Sequence, residues 1–305
     1  MTMSLLNAIT ASMITMAVPL LLAALGELLA ERAGVLNIGL EGMMLAGAFA
    51  ALTVALLSGS TALGVGAALL VGAGLGGLLA WFVVRGSANQ VVAGTALNLL
   101  AAGLTGVGYR AVFGVTGAAL TVAGAPTLPI PGLAALPVLG AFFKQNLLGY
   151  AAFGLAPAVG FLLWHTLPGL QLRMVGENPA AAETQGVSVQ RVRVAALIGC
   201  GMLAASGGAY LSVAYSNTFV EGMSAGRGFI ALAIVIVGRR TASGTVCAAL
   251  FFGLATALQF HFQALGLDVP FQFFLVLPYV LTLLVLAGFV GRSVAPAALG
   301  QPYER

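Results

Sequence analysis

The sequence predicts an all-α polytopic membrane protein, and three observations carry that expectation. Of 305 residues, 60% are hydrophobic and only 7% are charged, with a mean hydropathy of +1.07. A soluble domain carries about 25% charged residues, and no soluble core absorbs this much apolar surface. Apolar runs of about 20 residues, the length that crosses a bilayer, recur along the chain. No stretch alternates as the strand of a transmembrane barrel must. Backbone polar groups in lipid have to be satisfied within the chain, so the runs are expected to be helices.

Spans are predicted near 11–30, 37–58, 62–84, 90–110, 147–166, 192–215, 241–262 and 272–290. No Lys or Arg precedes the first run, which favours a retained span over a cleaved signal. Between the first two spans, Glu27, Glu31, Arg32, Asn37 and Glu41 stand beside Gly34, Gly39 and Gly42. A charge near the bilayer centre costs about 2.5–3.5 kcal/mol on insertion scales, so partners are expected. A turn at Gly34 would bring Arg32 close to Glu31 or Glu41. Asn37 would cap the second helix. That structural reading is the favoured one; the alternative is that the turn lines a solute path or transmits motion from the 167–193 loop.

Gly72 and Gly76 in the third run, and Ser206, Gly207 and Gly208 in the sixth, permit close helix contact, on which membrane helices depend. Packing accounts for most of the 42 glycines. In residues 89–101, Gln90, Thr95 and Asn98 recur at helical spacing. Amides at that depth need partners, either another helix or solute and water. Residues 111–146 contain Pro126, Pro129, Pro131 and Pro137 and are too broken for a span. They are placed outside, as a lid, a docking platform or a solvated connector.

Residues 167–193 interrupt the apolar text with a small structured unit. Asn178 suits an N-cap and Pro179 the first helical position. Three alanines follow, and Gly186 stands where a left-handed C-terminal residue is expected. A helix of two turns is unstable alone, so something must hold it. A surface amphipathic helix and a helix docked in a partner's groove are both open.

Residues 228–238 form an apolar run of half the spanning length, which continues into 223–227 as a broken or partly re-entrant element. Gln259, His261 and Gln263, with Asp268 and Phe271 nearby, gather at the outer end of the seventh run. Tyr109, Tyr150 and Tyr215 fall near span ends, where aromatic residues sit at membrane interfaces. Cys200 and Cys247 lie in apolar runs and are expected to be small buried hydrophobes.

About nine elements result. If the 167–193 loop is cytoplasmic, alternation puts Arg32, Arg85, Arg173, Arg191, Arg193, Arg239, Arg240, Arg292 and Arg305 inside and only Arg110, Lys144 and Arg227 outside, in agreement with the positive-inside bias. The plan is one transmembrane domain, 1–305. Its first half is 1–110, its external loop 111–146, its connecting span 147–166, its cytoplasmic loop 167–193, and its second half and tail 194–305. Two four-helix halves of opposite orientation make an inverted repeat. The basic residues are dispersed, which argues against nucleic acid. The sequence has no GxxxxGKS/T phosphate loop, no metal-ligand spacing and no catalytic constellation. Too few buried ionisable residues are present for a proton relay.

The stretch GENPAAAETQGVSVQRVR resembles the cytoplasmic coupling loop of permeases in the ribose/branched-chain-amino-acid class of ABC importers. ERAGVLNIGLEGMMLAG (31–47) and NQVVAGTALNLLA (89–101) are similar to one of the two permease subunits of nucleoside-type importers. The resemblance implies that Gly176, Glu177, Asn178, Pro179, Ala180, Glu183, Thr184 and Gly186 engage an ATPase. ATP and magnesium would be held on that partner and not on this chain. It further implies a second, non-identical permease, an external solute-binding protein and a bacterial inner membrane. By the same resemblance a nucleoside is the favoured cargo, and its hydroxyls and base edges suit Asn, Gln and Thr. Asn37, Glu41, Gln90, Thr95 and Asn98 are the candidates for its path. Ribose or galactose comes second, and a stand-alone secondary transporter is the rival from another class.

Overall fold

The computed structural model describes residues 2–114, 121–264, 276, 280 and 295–303. Its helices are α1 (Thr2–Arg32), α2 (Leu40–Ser58), α3 (Thr61–Ala80), α4 (Gln90–Phe113), α5 (Leu147–His165), α6 (Leu167–Glu177), α7 (Pro179–Thr184), α8 (Val189–Tyr210), α9 (Arg227–Val237) and α10 (Ala242–Ala264). Helices α3 and α8 each end in a π turn, Trp81–Arg85 and Leu211–Tyr215. Among the described residues, seven helices are long and apolar enough to cross a membrane, and they match the first seven predicted spans. Of the predicted span 272–290 only residues 276 and 280 are described, and Asp268 and Phe271 fall outside the described residues. The all-α polytopic class therefore stands.

Helix α1 is the axis. It packs against α8, α10, α9 and α5, and its residues from Ala17 to Leu25 are almost wholly buried. Small residues let the helices close. A methyl on Gly72 or Gly76 would overlap the carbonyls of Gly201 or Leu197 on α8. One on Gly208 would overlap the carbonyl of Met44 on α2. The glycine spacing that the sequence offered is thus used for backbone contact, which replaces the hydrophobic drive that lipid removes.

The 111–146 stretch carries a small antiparallel pair, β1 (Thr127–Pro129) and β2 (Lys144–Asn146), with Leu128 opposite Gln145. The hydroxyl of Tyr150 donates to the carbonyl of Leu128 at 2.8 Å. Asn7 at the start of α1 accepts from the Val138 amide at 2.7 Å. The loop therefore closes over the end of α1 opposite Arg32. Between them lies a cavity of about 420 Å³ with a mixed lining that includes Asn7, Thr15, Leu136, Val138, Lys144 and Tyr210.

Helix α9 has 11 residues and measures about 16 Å at the usual rise, half of a bilayer. The predicted broken element is this helix with the irregular residues 216–226 before it. The expectation of buried cysteines holds for Cys200 and needs correction for Cys247. Cys247 is exposed on α10. Cys200 is buried, but its thiol lies 3.2 Å from the Asn37 amide and 3.6 Å from the Glu27 carboxylate. It belongs to a polar hub and is not mere apolar filling.

Candidate functional site: helix α7 and the Gly34 turn

Helix α7 forms as its sequence dictates. The Asn178 side chain accepts from the Ala181 amide at 3.0 Å, Pro179 opens the helix, and Gly186 takes a left-handed φ of +80°. Ala182 turns inward onto Val175 and Val189, while Ala180, Ala181, Thr184 and Gln185 stay exposed. One face is thus anchored and the other is free for a partner. Gly176 lies against the backbone of Arg32, where a methyl would overlap the carbonyl. Glu177 accepts from the Ala297 amide at 3.4 Å, and Glu183 accepts from the Tyr303 hydroxyl at 2.5 Å. Arg173 stacks on Trp164 at 4.3 Å, a cation–π contact at the end of α5.

The Gly34 turn sits beside Gly176, and from it the chain doubles back along α1. Residues 33–39 are irregular and buried, so each backbone group needs a partner. Backbone carbonyls of α1 serve Gly34 and Val35, and side chains serve several of the rest. The Leu36 amide donates to Gln90 Oε1 at 2.7 Å, and the Asn37 amide to Glu27 at 3.0 Å. The Gly39 amide donates to Asn37 Oδ1 at 2.9 Å. Asn98 works in both directions: its Oδ1 accepts from the Gly42 amide at 2.8 Å, and its Nδ2 donates to the Ile38 carbonyl at 2.9 Å. Asn37, Gln90 and Asn98 are therefore brought together as the supports of one turn. Thr95 is not among them; it is exposed, and its hydroxyl bonds to carbonyls of its own helix.

Replacing Asn98 with Leu strips the Gly42 amide and the Ile38 carbonyl of part-buried partners, at a cost of up to about 1–3 kcal/mol each. The expected outcome is a lower melting temperature and a lower yield of folded permease in detergent. An unchanged melt would show that these bonds are dispensable.

Glu41 does something the sequence did not disclose. Its two carboxylate oxygens accept from the amides of Gly226 and Gly228, both at 2.7 Å. They cap the N-terminus of α9 from the first turn of α2. Two helix N-termini thus share one negative charge, which both dipoles favour. Gly228 permits the approach, since a Cβ there would lie 2.6 Å from the Glu41 Cα. The far end of α9 leads to Arg240, which reaches Glu31, so the Glu41 cap stands about half a bilayer away from that pair.

The expected pairing of Arg32 with Glu31 or Glu41 needs correction. Glu31 pairs with Arg240, the two side chains being 0% and 8% exposed. Neighbouring residues on a helix point apart, so Arg32 turns the other way. It donates to the Arg240 carbonyl at 3.1 Å through Nε and at 2.5 Å through Nη2. Sequence reasoning counted Arg240 only as a positive-inside residue. The missed signal was its position at the end of a half-length apolar helix, opposite an unpaired glutamate.

At the opposite end, Arg110 of α4 meets Glu221 at 3.1 Å in an exposed pair. His261 lies 3.3 Å from the Ser12 hydroxyl of α1, and Gln259 is buried, so this group packs α10 onto α1.

Comparison with known proteins agrees with this architecture. A family profile described as branched-chain amino acid transport system / permease component matches residues 9–286. A guanosine ABC transporter permease protein, NupQ, of Bacillus subtilis is 37% identical over 98% of this chain and 97% of its own. A nucleoside ABC transporter permease protein, NupC, of Lactococcus lactis subsp. cremoris is 37% identical over the same shares. A protein of Haloferax volcanii, provisionally named a glucose ABC transporter permease, is 38% identical over 94% of each chain. No solved structure matches the chain.

Proposed function

The chain belongs to the branched-chain amino acid transport system / permease component family, and from that premise we propose that it forms half of a nucleoside-translocating pore in the bacterial cytoplasmic membrane. It is a multi-pass ABC importer permease and not an enzyme; ATP is hydrolysed by a separate subunit, and an external binding protein supplies the solute.

One observation carries the half-pore. Irregular backbone at membrane depth is tolerated only where protein buries it or where it lines water. The 33–39 turn is buried, but Val220, Glu221, Gly222 and Ala225 are exposed in the segment that leads down to the Glu41 cap. That surface calls for a water-filled path closed by a second permease. A related, non-identical permease is the partner, because residues 31–47 and 89–101 resemble one member of such a pair. Glu41 and Thr95 border the path, while Asn37, Gln90 and Asn98 hold its wall from behind. The ATPase grips residues 176–186, and closure of the ATPase pair moves α7 against the Gly34 turn.

The 33–39 and 216–226 segments occupy corresponding places in two inverted halves, 1–110 and 194–305, joined by the external loop 111–146, the span 147–166 and the coupling loop 167–193. With 272–290 as the last span, the count is nine elements.

Nucleosides are the cargo favoured by the similarity to NupQ and NupC, and a simple sugar is the second choice, from the Haloferax volcanii relative. The test is to purify the assembled complex with its binding protein and to measure thermal shifts with nucleosides, ribose, galactose and glucose. A shift with nucleosides supports the cargo. A shift with sugars alone overturns it.

A further inference from the structure

Residues 295–303 lie across the coupling region and touch each of its parts. The Ala298 amide donates to the Gly176 carbonyl at 2.9 Å, and the Gly300 amide to the Gly34 carbonyl at 3.2 Å. Arg193 at the start of α8 donates to the Gln301 carbonyl at 3.0 Å. Ala297 reaches Glu177, and the Tyr303 hydroxyl reaches Glu183 on α7. The Tyr303 ring packs on the cluster of Val175, Ala182 and Val189 that seats α7.

These contacts bear on how force is passed. Helix α7 has six residues and is joined to its neighbours through a cap at Asn178 and a left-handed glycine at Gly186. So short a rod has little stability of its own. Held at two joints and by the seating of Ala182 on Val175 and Val189, it has no backbone hydrogen bond of its own to the Gly34 turn among the described residues. The 295–303 segment adds a further attachment that runs from α7, through Gly176, to Gly34.

We propose that residues 295–303 form a brace that locks α7 to the Gly34 turn, with Tyr303 as a positioning residue for the transfer of work from the partner ATPase. This rests on the reading that the ATPase docks on α7. Tyr303 touches neither nucleotide nor solute. Its role is to make the push and the turn move together.

The experiment uses the complete complex in proteoliposomes, with ATP hydrolysis and solute uptake measured on the same vesicles. Tyr303→Phe keeps the ring and removes the hydroxyl; Tyr303→Ala removes both. Both variants are expected to co-purify with the ATPase and to hydrolyse ATP near the wild-type rate. Solute moved per ATP should fall about fivefold or more in Tyr303→Ala, the scale of a typical coupling between sites, and less in Tyr303→Phe. An unchanged ratio in Tyr303→Ala overturns the brace. So does a parallel loss of hydrolysis and uptake, which would mark a docking or folding role. If the wild-type chain instead fails to bind any ATPase, the parent reading fails and not the brace alone.

Discussion

Replacing Arg240 with methionine is expected to destabilise the permease by about 3–5 kcal/mol, the cost of leaving a buried charge without its partner. The Glu31 side chain is fully shielded from solvent, and Arg240 meets it from the far end of α9 across more than 200 residues of sequence. The loss therefore arises from the stranded carboxylate more than from the missing attraction. The double variant Glu31→Gln with Arg240→Met should recover most of the stability, because an uncharged amide is cheaper to bury. Melting of the purified permease in detergent reads both effects. A single variant as stable as wild type, or a double variant no better than the single, would contradict this account of the pair.

The second large effect is expected at Glu41. Glu41→Ala frees the amides of Gly226 and Gly228, each left unsatisfied at about 1–3 kcal/mol. It also removes the charge shared by two helix N-termini. The half-length helix loses its seat, and uptake by the assembled complex should disappear. Glu41→Gln retains one acceptor and the shape but loses the charge, so uptake should fall to an intermediate level. Wild-type uptake in Glu41→Ala would show that the cap is ornamental and that α9 is held by packing alone.

The parts of this fold that could be read from the sequence are those set by local chemistry. Twenty-residue apolar runs gave seven helices with ends within a few residues of the observed ones, apart from the first, which extends earlier. The Asn178–Pro179 start and the Gly186 stop placed α7 for the same reason: caps and left-handed glycines act within one turn. The half-length of 228–238 announced α9. What the sequence hid is partnership at long range. Nothing near Glu41 in the chain says that its carboxylate caps residues 226 and 228, and nothing near Asn98 names Gly42 and Ile38. Such pairs follow from tertiary packing, which periodicity does not encode. The mistaken partner for Arg32 came from reading proximity in sequence as proximity in space, although adjacent helical residues diverge. The contacts of residues 295–303 were illegible because their short text of alanine, proline and glycine has no helical or strand period and names no partner until Gly34, Gly176 and Tyr303 are seen side by side.

The central claim is that α7 is the contact through which an ATP-hydrolysing partner drives this bundle. The most direct measurement is site-directed crosslinking from a cysteine placed at Ala180, which is exposed on α7, in intact membranes and in the purified complex. In a background where Cys200 and Cys247 are replaced by alanine, the account predicts a crosslink to the ATPase and labelling only by reagents that cross the membrane. Labelling of Ala180→Cys by an impermeant reagent from the external face, or the absence of any crosslink to a nucleotide-hydrolysing protein in an actively transporting complex, would contradict it.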